Sequence, residues 1–457
     1  MIVGRTLITA LDPVHSFTMI QLTIQNPKPR YSEKSTSSWY RYYPCFSEDF
    51  AEALLSSAGL GNQHWVLDPW NGSGTTTAKA TLLGLNTYGY DLNPVMVLIA
   101  KARGLDPAEY SSLRPLLADI HRKATRPFEI NPSDPLLTWL VPRSVSDFRG
   151  IEAVIQKLLV DDQHYLDLNT RGVCEISDLA AFFYVALFRA LKQLLEPFLT
   201  SNPTWVKRPR HAQSRLRPHR ETIKATFTAE ARKMLPLPIR DSVATVRGRR
   251  VLGVASSDRL PLGNATVDLV LSSPPYCTRI DYAVATSIEL AALGQQPNSD
   301  FDALRRQLIG NTTVPKVAAD PSEDFGPTCL NFLRRLSAHK AKASSTYYYK
   351  NHLQYFHAIS RSLSEIGRVL KPNGRCVLVV QDSYYKDLHT DLPNIMVEMA
   401  QRSRLELGDR FDFPLSRTMA GINPRTSEYR SSFTALESVL VLNRSDDITN
   451  TINQLHF

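Results

Sequence analysis

Short apolar runs bounded by glycine-bearing turns alternate along the chain with stretches whose apolar residues recur three and four positions apart. His64-Trp-Val-Leu67 reads as a strand. A glycine turn, a helix over about 75–83 and the strand Thr87-Tyr-Gly-Tyr90 complete a β-α-β unit. Ahead of it, an aromatic loop from Trp39 to Phe46 leads into a helix over 47–55, with Ser47 as its N-cap. From about 106 to 234 the pattern turns helical. Its longest apolar stretch, 179–199, is broken by Arg189, Lys192, Gln193 and Glu196 and reads as a buried helix rather than a membrane span. Strand signals resume at 250–255 and 267–271. A helix over 355–370, with Lys371-Pro-Asn-Gly374 marking its stop, precedes strands at 375–380, 405–411 and 438–442. The fold expected is an α/β, doubly wound, Rossmann-like sheet interrupted by a mostly helical insertion. Its parts are an N-terminal extension (1–38), a split catalytic domain (39–105 and 246–445), an insertion (106–245) and a tail (446–457).

Composition adds modest constraints. At 457 residues, with 43% hydrophobic and 21% charged, the chain reads as a large soluble protein. The segment Met1 to Ala10 has no clear cleavage pattern, so a signal peptide is not expected and the cytoplasm is the default compartment. Cys45, Cys174, Cys277, Cys329 and Cys376 are scattered without CxxC spacing, which fits reduced thiols. Net charge matters more. Residues 205–250 hold 13 Lys/Arg against 3 acidic residues, so this segment exceeds the whole chain's +9 and the remainder is near neutral. A solvated loop is the plain reading of such a run. The cluster Lys207, Arg208, Arg210, Arg215, Arg217 and Arg220, with Trp205 at its edge, also suits nucleic-acid phosphates.

Two stretches carry chemistry. Asp68-Pro-Trp-Asn-Gly-Ser-Gly-Thr-Thr-Thr-Ala-Lys79 follows a strand and opens a helix, whose first N–H groups lack partners within it. A phosphate-cradling P-loop needs Gly-Lys-Ser/Thr, but Thr75 follows Gly74. A dinucleotide fingerprint needs a third glycine where Thr77 stands. The remaining reading is S-adenosylmethionine, with Asp68 near the cofactor's charged amino acid end and Asp91, in Gly89-Tyr-Asp-Leu-Asn-Pro94, for the ribose hydroxyls. Either aspartate alone could be a turn former; their joint placement at adjacent strand ends weakens that reading. The second stretch is Leu269-Val-Leu-Ser-Ser-Pro-Pro-Tyr-Cys277, where Pro274 and Pro275 stop a strand and hold Tyr276 on a stiff loop at its carboxyl end.

Asp68-Pro-Trp-Asn-Gly-Ser-Gly-Thr-Thr76, Gly89-Tyr-Asp-Leu-Asn-Pro94 and Ser273-Pro-Pro-Tyr276 together resemble the signatures of amino-directed DNA methyltransferases. The resemblance continues through Ile280-Asp-Tyr282, Ser364 to Gly374 and Glu437 to Leu442. Tyr42-Tyr-Pro-Cys-Phe46 resembles the segment covering the cofactor's methionine end. It spans most of the chain outside 1–38 and 106–245. The resemblance implies S-adenosylmethionine at Asp68, Pro69, Gly72, Ser73, Gly74, Thr75, Asp91, Asn93, Tyr43 and Phe46. It also implies an adenine contact at Ser256 or Asp258, with both alternatives open. It implies double-stranded DNA as substrate, with Ser273, Pro274, Pro275 and Tyr276 acting on a flipped base. In that family Asp-Pro-Pro-Tyr goes mainly with adenine N6 and Ser-Pro-Pro-Tyr mainly with cytosine N4. N4-cytosine is therefore expected, N6-adenine is the alternative, and a restriction or defence-system partner is a candidate.

Rival readings stand beside this one. Pro44-Cys45 precedes the first strand, not the fourth, and Cys277 lacks a preceding proline, so neither reads as a cytosine-C5 nucleophile. RNA methylation of the guanine N2 type uses a similar loop, though no appended RNA-binding fold is recognisable. A basic scaffold that has lost its cofactor conflicts with the intact motifs. His211, His219, His339, His352 and His357 form no metal-ligand set, no metal is expected, and Tyr347 to Tyr349 read as packing.

Overall fold

The computed structural model describes residues 21–28, 40, 46–160, 172–200, 205–236, 247–277, 280–294, 300–317, 319–415 and 435–445. Nine strands are described: β1 (Trp65–Asp68), β2 (Asn86–Asp91), β3 (Arg250–Val254), β4 (Val267–Ser272), β5 (Leu370–Gln381), β6 (Ser383–Tyr385), β7 (Leu388–Thr390), β8 (Leu405–Leu415) and β9 (Ala435–Arg444). Seven of them form one sheet in the order β3-β2-β1-β4-β5-β9-β8, while β6 and β7 pair as a hairpin. β1 to β5 run parallel, and β9 lies antiparallel to both β5 and β8. This is the doubly wound α/β sheet expected from the pattern.

Period-two alternation divides the strand side chains between two faces. Leu269, Leu271, Val377, Val379, Val439 and Val441 pack with Phe50 and Leu54 of the helix Glu48–Ser57. Val270, Cys376, Leu378, Leu440 and Leu442 pack with the helices Tyr349–Val369 and Leu392–Arg402. Ser47 caps the first helix as expected, its Oγ accepting from Phe50 N at 3.2 Å. One boundary differs. Lys371-Pro-Asn-Gly374 lies inside β5, with Asn373 at φ +61 and the β4–β5 register shifting between Val267 and Leu269. The helix stops at Val369 as expected, but the strand begins at Leu370 instead of 375, with the proline absorbed in a bulge.

Segments 110–123, 142–159, 178–194 and 220–234 are helical and share one apolar core with the helix Pro94–Arg103 and with residues 282–293 and 301–308. Buried Arg149 ties them polarly. Its Nε donates to Asp134 Oδ2 at 2.8 Å, Nη1 pairs with Glu152, and Nη2 donates to the Ala291 carbonyl at 3.0 Å. Among the described residues no helix is long and apolar enough to cross a membrane. Removing one partner of a buried charge network leaves the others uncompensated. Arg149→Met is therefore expected to destabilise the fold by about 3 kcal/mol, read from the urea midpoint.

Candidate active site

β1 is followed by β2 and β3 on one side, and β4 returns on the other. The loops leaving β1 and β4 therefore diverge and open a crevice at their carboxyl ends. A cavity occupies it, lined among others by Phe46, Asp68, Gly72, Asp91, Ser256, Ser273, Pro274 and Pro275. Positions some two hundred residues apart in the chain thus share one chamber. Ser272 Oγ donates to Asp68 Oδ1, and Thr76 Oγ1 donates to the Leu271 carbonyl at 3.0 Å, so the two lips are bonded together.

The β1 turn is held from several sides. Asn71 N donates to the Tyr90 carbonyl at 2.9 Å and Gly72 N to Asp91 Oδ2 at 3.0 Å. Arg103, at the end of the helix Pro94–Arg103, donates to the Ser73 carbonyl at 2.8 Å. Gly74 adopts φ +81, and a Cβ there would lie 2.8 Å from Ala100 Cβ, so both conformation and packing require glycine. Asp91 accepts from Gly72 N and Asn93 N, while Asn93 caps the next helix and donates to Thr286 Oγ1 at 2.8 Å. Burial pushes the Asp68 carboxyl up to about 6 despite hydrogen bonds from Ser272 Oγ and Trp70 N. Burial likewise raises Asp91 to about 6 against its two backbone donors. At neutral pH the chamber therefore holds two ionised carboxylates in poor solvation, each disfavoured by about 3 kcal/mol. A cationic ligand relieves that cost.

The opposite wall is the proline corner. Ser273 Oγ donates to the Val379 carbonyl at 2.9 Å, Tyr355 Oη donates to the Pro275 carbonyl at 2.9 Å, and Tyr276 N donates to Tyr282 Oη at 3.2 Å. Gly310, at φ +79, closes against the corner: a Cβ there would stand 2.9 Å from the Tyr276 carbonyl.

Of the residues singled out from sequence, Phe46, Asp68, Pro69, Gly72, Ser73, Thr75, Asp91, Asn93, Ser256, Ser273, Pro274 and Pro275 line this chamber. Gly74 shapes the turn behind it. Asp258 faces an adjoining cavity instead, where Arg361 pairs with it at 3.0 Å and Ser256 Oγ donates to it at 2.6 Å. Tyr43 lies outside the described residues. Trp70 both borders the chamber and packs on the core, and its buried Nε1 has no partner among the described residues. Met96, Ser257, Tyr282 and the run Gln307-Leu308-Ile309 also line the chamber. Of these, Tyr282 and Ser257 stand in stretches that the sequence marked. Met96 and Gln307 to Ile309 belong to no motif and reach the wall through folding alone.

The basic segment is strapped to the insertion by its backbone. Trp139 Nε1 donates to the Lys207 carbonyl and Leu216 N to the Trp139 carbonyl, both at 2.9 Å. Lys207, Arg208, Arg210 and Arg217 are exposed and Arg215 is half-buried. Arg220 differs, because Asp147 holds it at 2.8 Å and it donates to the Thr125 carbonyl. Among the described residues no group of three or more His, Cys, Asp or Glu could hold a metal ion.

A doubly wound sheet with paired carboxylates and a proline-stiffened loop around one switch-point chamber has the form of a Rossmann-like methyltransferase. The DNA methylase family profile matches residues 15–102. The chain is 23% identical over 313 residues to the Type II methyltransferase M.BsoBI of Geobacillus stearothermophilus, covering 64% of this chain and less than two thirds, 59%, of that protein's length. It is 21% identical to M.MvaI of Kocuria varians, covering 74% of each, and 21% identical to M.AvaI of Nostoc sp., covering 80% of this chain and 76% of the other. Likeness to a solved geranyl diphosphate methyltransferase in complex with GPP and sinefungin is loose, with TM-score 0.31 and 8% identity over 88% of this chain and 80% of that one. Over the matched residues the chain is thus similar to DNA methylases, and S-adenosylmethionine is the cofactor that this similarity supports. Buried Asp68, half-buried Asp91 and Trp70 Nε1, which has no partner among the described residues, are groups that could hold such a cofactor.

The raised carboxylates set a pH dependence. Between the ordinary value of 3.8 and about 6 the folded chain binds more protons than the unfolded one, so stability from these groups falls as pH rises through that window. A cationic ligand selects the ionised form. Affinity for S-adenosylmethionine is therefore expected to weaken below about pH 6, approaching tenfold per pH unit for each carboxylate engaged. Calorimetric titration across pH 5 to 8 measures this; a flat profile contradicts it.

Proposed function

We propose that this chain methylates the exocyclic N4 amine of cytosine in double-stranded DNA, by direct transfer onto a base turned out of the duplex. The carrying observation is the single chamber that holds Asp68, Asp91 and the Ser273-Pro274-Pro275 corner together. S-adenosylmethionine, when bound, supplies an electrophilic methyl group on sulfur. Everything else falls to the protein. The amine is a weak nucleophile because its lone pair is delocalised into the ring. The Ser273 hydroxyl gives its proton to the Val379 carbonyl and so presents lone pairs as an acceptor. Tyr355 occupies the Pro275 carbonyl, which leaves the Pro274 carbonyl as the second acceptor for the amine hydrogens. Two acceptors on the amine concentrate its lone pair, and Tyr276 offers a stacking face held by the prolines. Turning the base out costs a few kcal/mol, which stacking on that ring offsets.

The exposed arginines beside Trp205, held out by a strapped backbone, support contact with DNA phosphates. The Type II names of the similar proteins support a restriction-modification setting, with a nuclease of matching specificity as partner.

Mass spectrometry of nucleosides from DNA incubated with protein and cofactor is expected to find N4-methylcytosine. N6-methyladenine would overturn the choice of base, and no methylated nucleoside would overturn the reading. Tyr276→Ala is expected to lower kcat about 100-fold while leaving cofactor affinity unchanged. Replacing Arg208, Arg210, Arg215 and Arg217 with Ala should weaken DNA binding and reduce the salt slope by about 0.9 for each phosphate no longer neutralised. Unchanged affinity and slope would take the insertion out of the interface.

A further inference from the structure

The N-terminal extension reaches the proline corner. Residues 21–28 run extended along the helix Glu48–Ser57, with Leu22 and Ile24 packed on the core beneath it. Thr23 N donates to Ser57 Oγ and Ser47 N donates to the Pro27 carbonyl, both at 2.8 Å. The segment delivers Lys28, whose Nζ lies 2.6 Å from Tyr276 Oη and 2.7 Å from Glu437 Oε1. Glu437 sits on β9 with 1% of its side chain exposed, and its other oxygen is buried without a partner among the described residues. Burial alone would make Lys28 easier to deprotonate, but Tyr276 and Glu437 outweigh it and hold the ammonium above the usual lysine range.

The geometry points to a role beyond an ion pair. Pro274 and Pro275 stiffen the backbone that precedes Tyr276, yet they leave its side-chain torsions free. A phenol bonded at its far end loses that freedom. Nζ is 5.2 Å from the ring centroid but 2.6 Å from the hydroxyl oxygen, so the cation lies off the hydroxyl end and not over a face. Both faces of the ring stay clear of the ammonium. We propose that Lys28 is a positioning residue for the target base: it fixes the Tyr276 ring from a segment 248 positions earlier, with Glu437 as its buried counter-charge. This rests on the reading of Tyr276 as the stacking platform.

The test compares Lys28→Met, Lys28→Arg and the double variant Lys28→Met/Glu437→Gln, which removes the stranded buried charge. With 3-fluorotyrosine at position 276, the fluorine resonance of the DNA-free protein is expected to shift and broaden in both Met variants. That readout needs no catalysis, so it stays informative even if the wild-type chain methylates nothing and the functional reading itself falls. In an active protein, kcat should drop about 10- to 100-fold in both Met variants, with KM for S-adenosylmethionine within about twofold and partial recovery in Lys28→Arg. The 2-aminopurine signal of an everted base should weaken in parallel. An unmoved fluorine resonance overturns the contact. Wild-type kcat in the double variant overturns the positioning role and leaves only an ion pair with Glu437.

Discussion

The reversal of strand order between β1 and β4 is the constraint on which the rest of this molecule depends. Parallel strands whose connections leave in opposite directions cannot close over their own carboxyl ends, and the gap is lined by whatever residues follow each strand. Here those residues are Asp68 on one lip and Ser272 and Ser273 on the other, bonded across the gap through Ser272 and Thr76. The bond sets the width of the chamber. It also keeps a carboxylate where burial disfavours its charge, a penalty that a cationic ligand would relieve.

Rigidity around the chamber comes from separate sources on each side. The β1 turn hangs from backbone bonds to β2, from Asp91 and from Arg103, so its glycines are surrounded by fixed neighbours. The proline corner is stiff in its own backbone, and Tyr355, Tyr282 and the Val379 carbonyl take up its polar groups. Residues 282–292, which border the chamber at Tyr282, are tied to the helical insertion. Arg149 binds the Ala291 carbonyl, while Lys192 and Tyr40 both meet the fully buried Glu289. The element that displays the basic strap therefore also supports a wall of the site. The basic strap and that wall are thus related through one packed core.

Legibility differed between the fold and the site for a physical reason. Apolar periodicity depends on neighbours within a few positions, so the β-α-β unit at 65–91, the long helices of the insertion and the strands at 250–254 and 267–272 could all be read from the chain. Glycine and proline act through their own backbone torsions, so the turn at Gly72 and Gly74 and the corner at Pro274 and Pro275 were legible as well. Lys371-Pro-Asn-Gly374 did mark the helix stop, at Val369, but not the start of the next strand, because a bulge lets β5 begin at Leu370 and take the proline in. Between Ser256 and Asp258 the sequence left the choice open, and only folding turns Asp258 toward Arg361 and away from the chamber.

What the sequence determined by itself is the α/β class and the chemical character of two loops, because both are written in contiguous residues. Tertiary structure alone decided that those loops face each other, that Gln307 to Ile309 and Tyr282 complete the wall, that Arg220 is occupied by Asp147, and that Lys28 meets Tyr276. These facts join residues tens to hundreds of positions apart. Such contacts are stabilised only once the sheet has brought its strand ends together, and no local pattern along the chain encodes that distance.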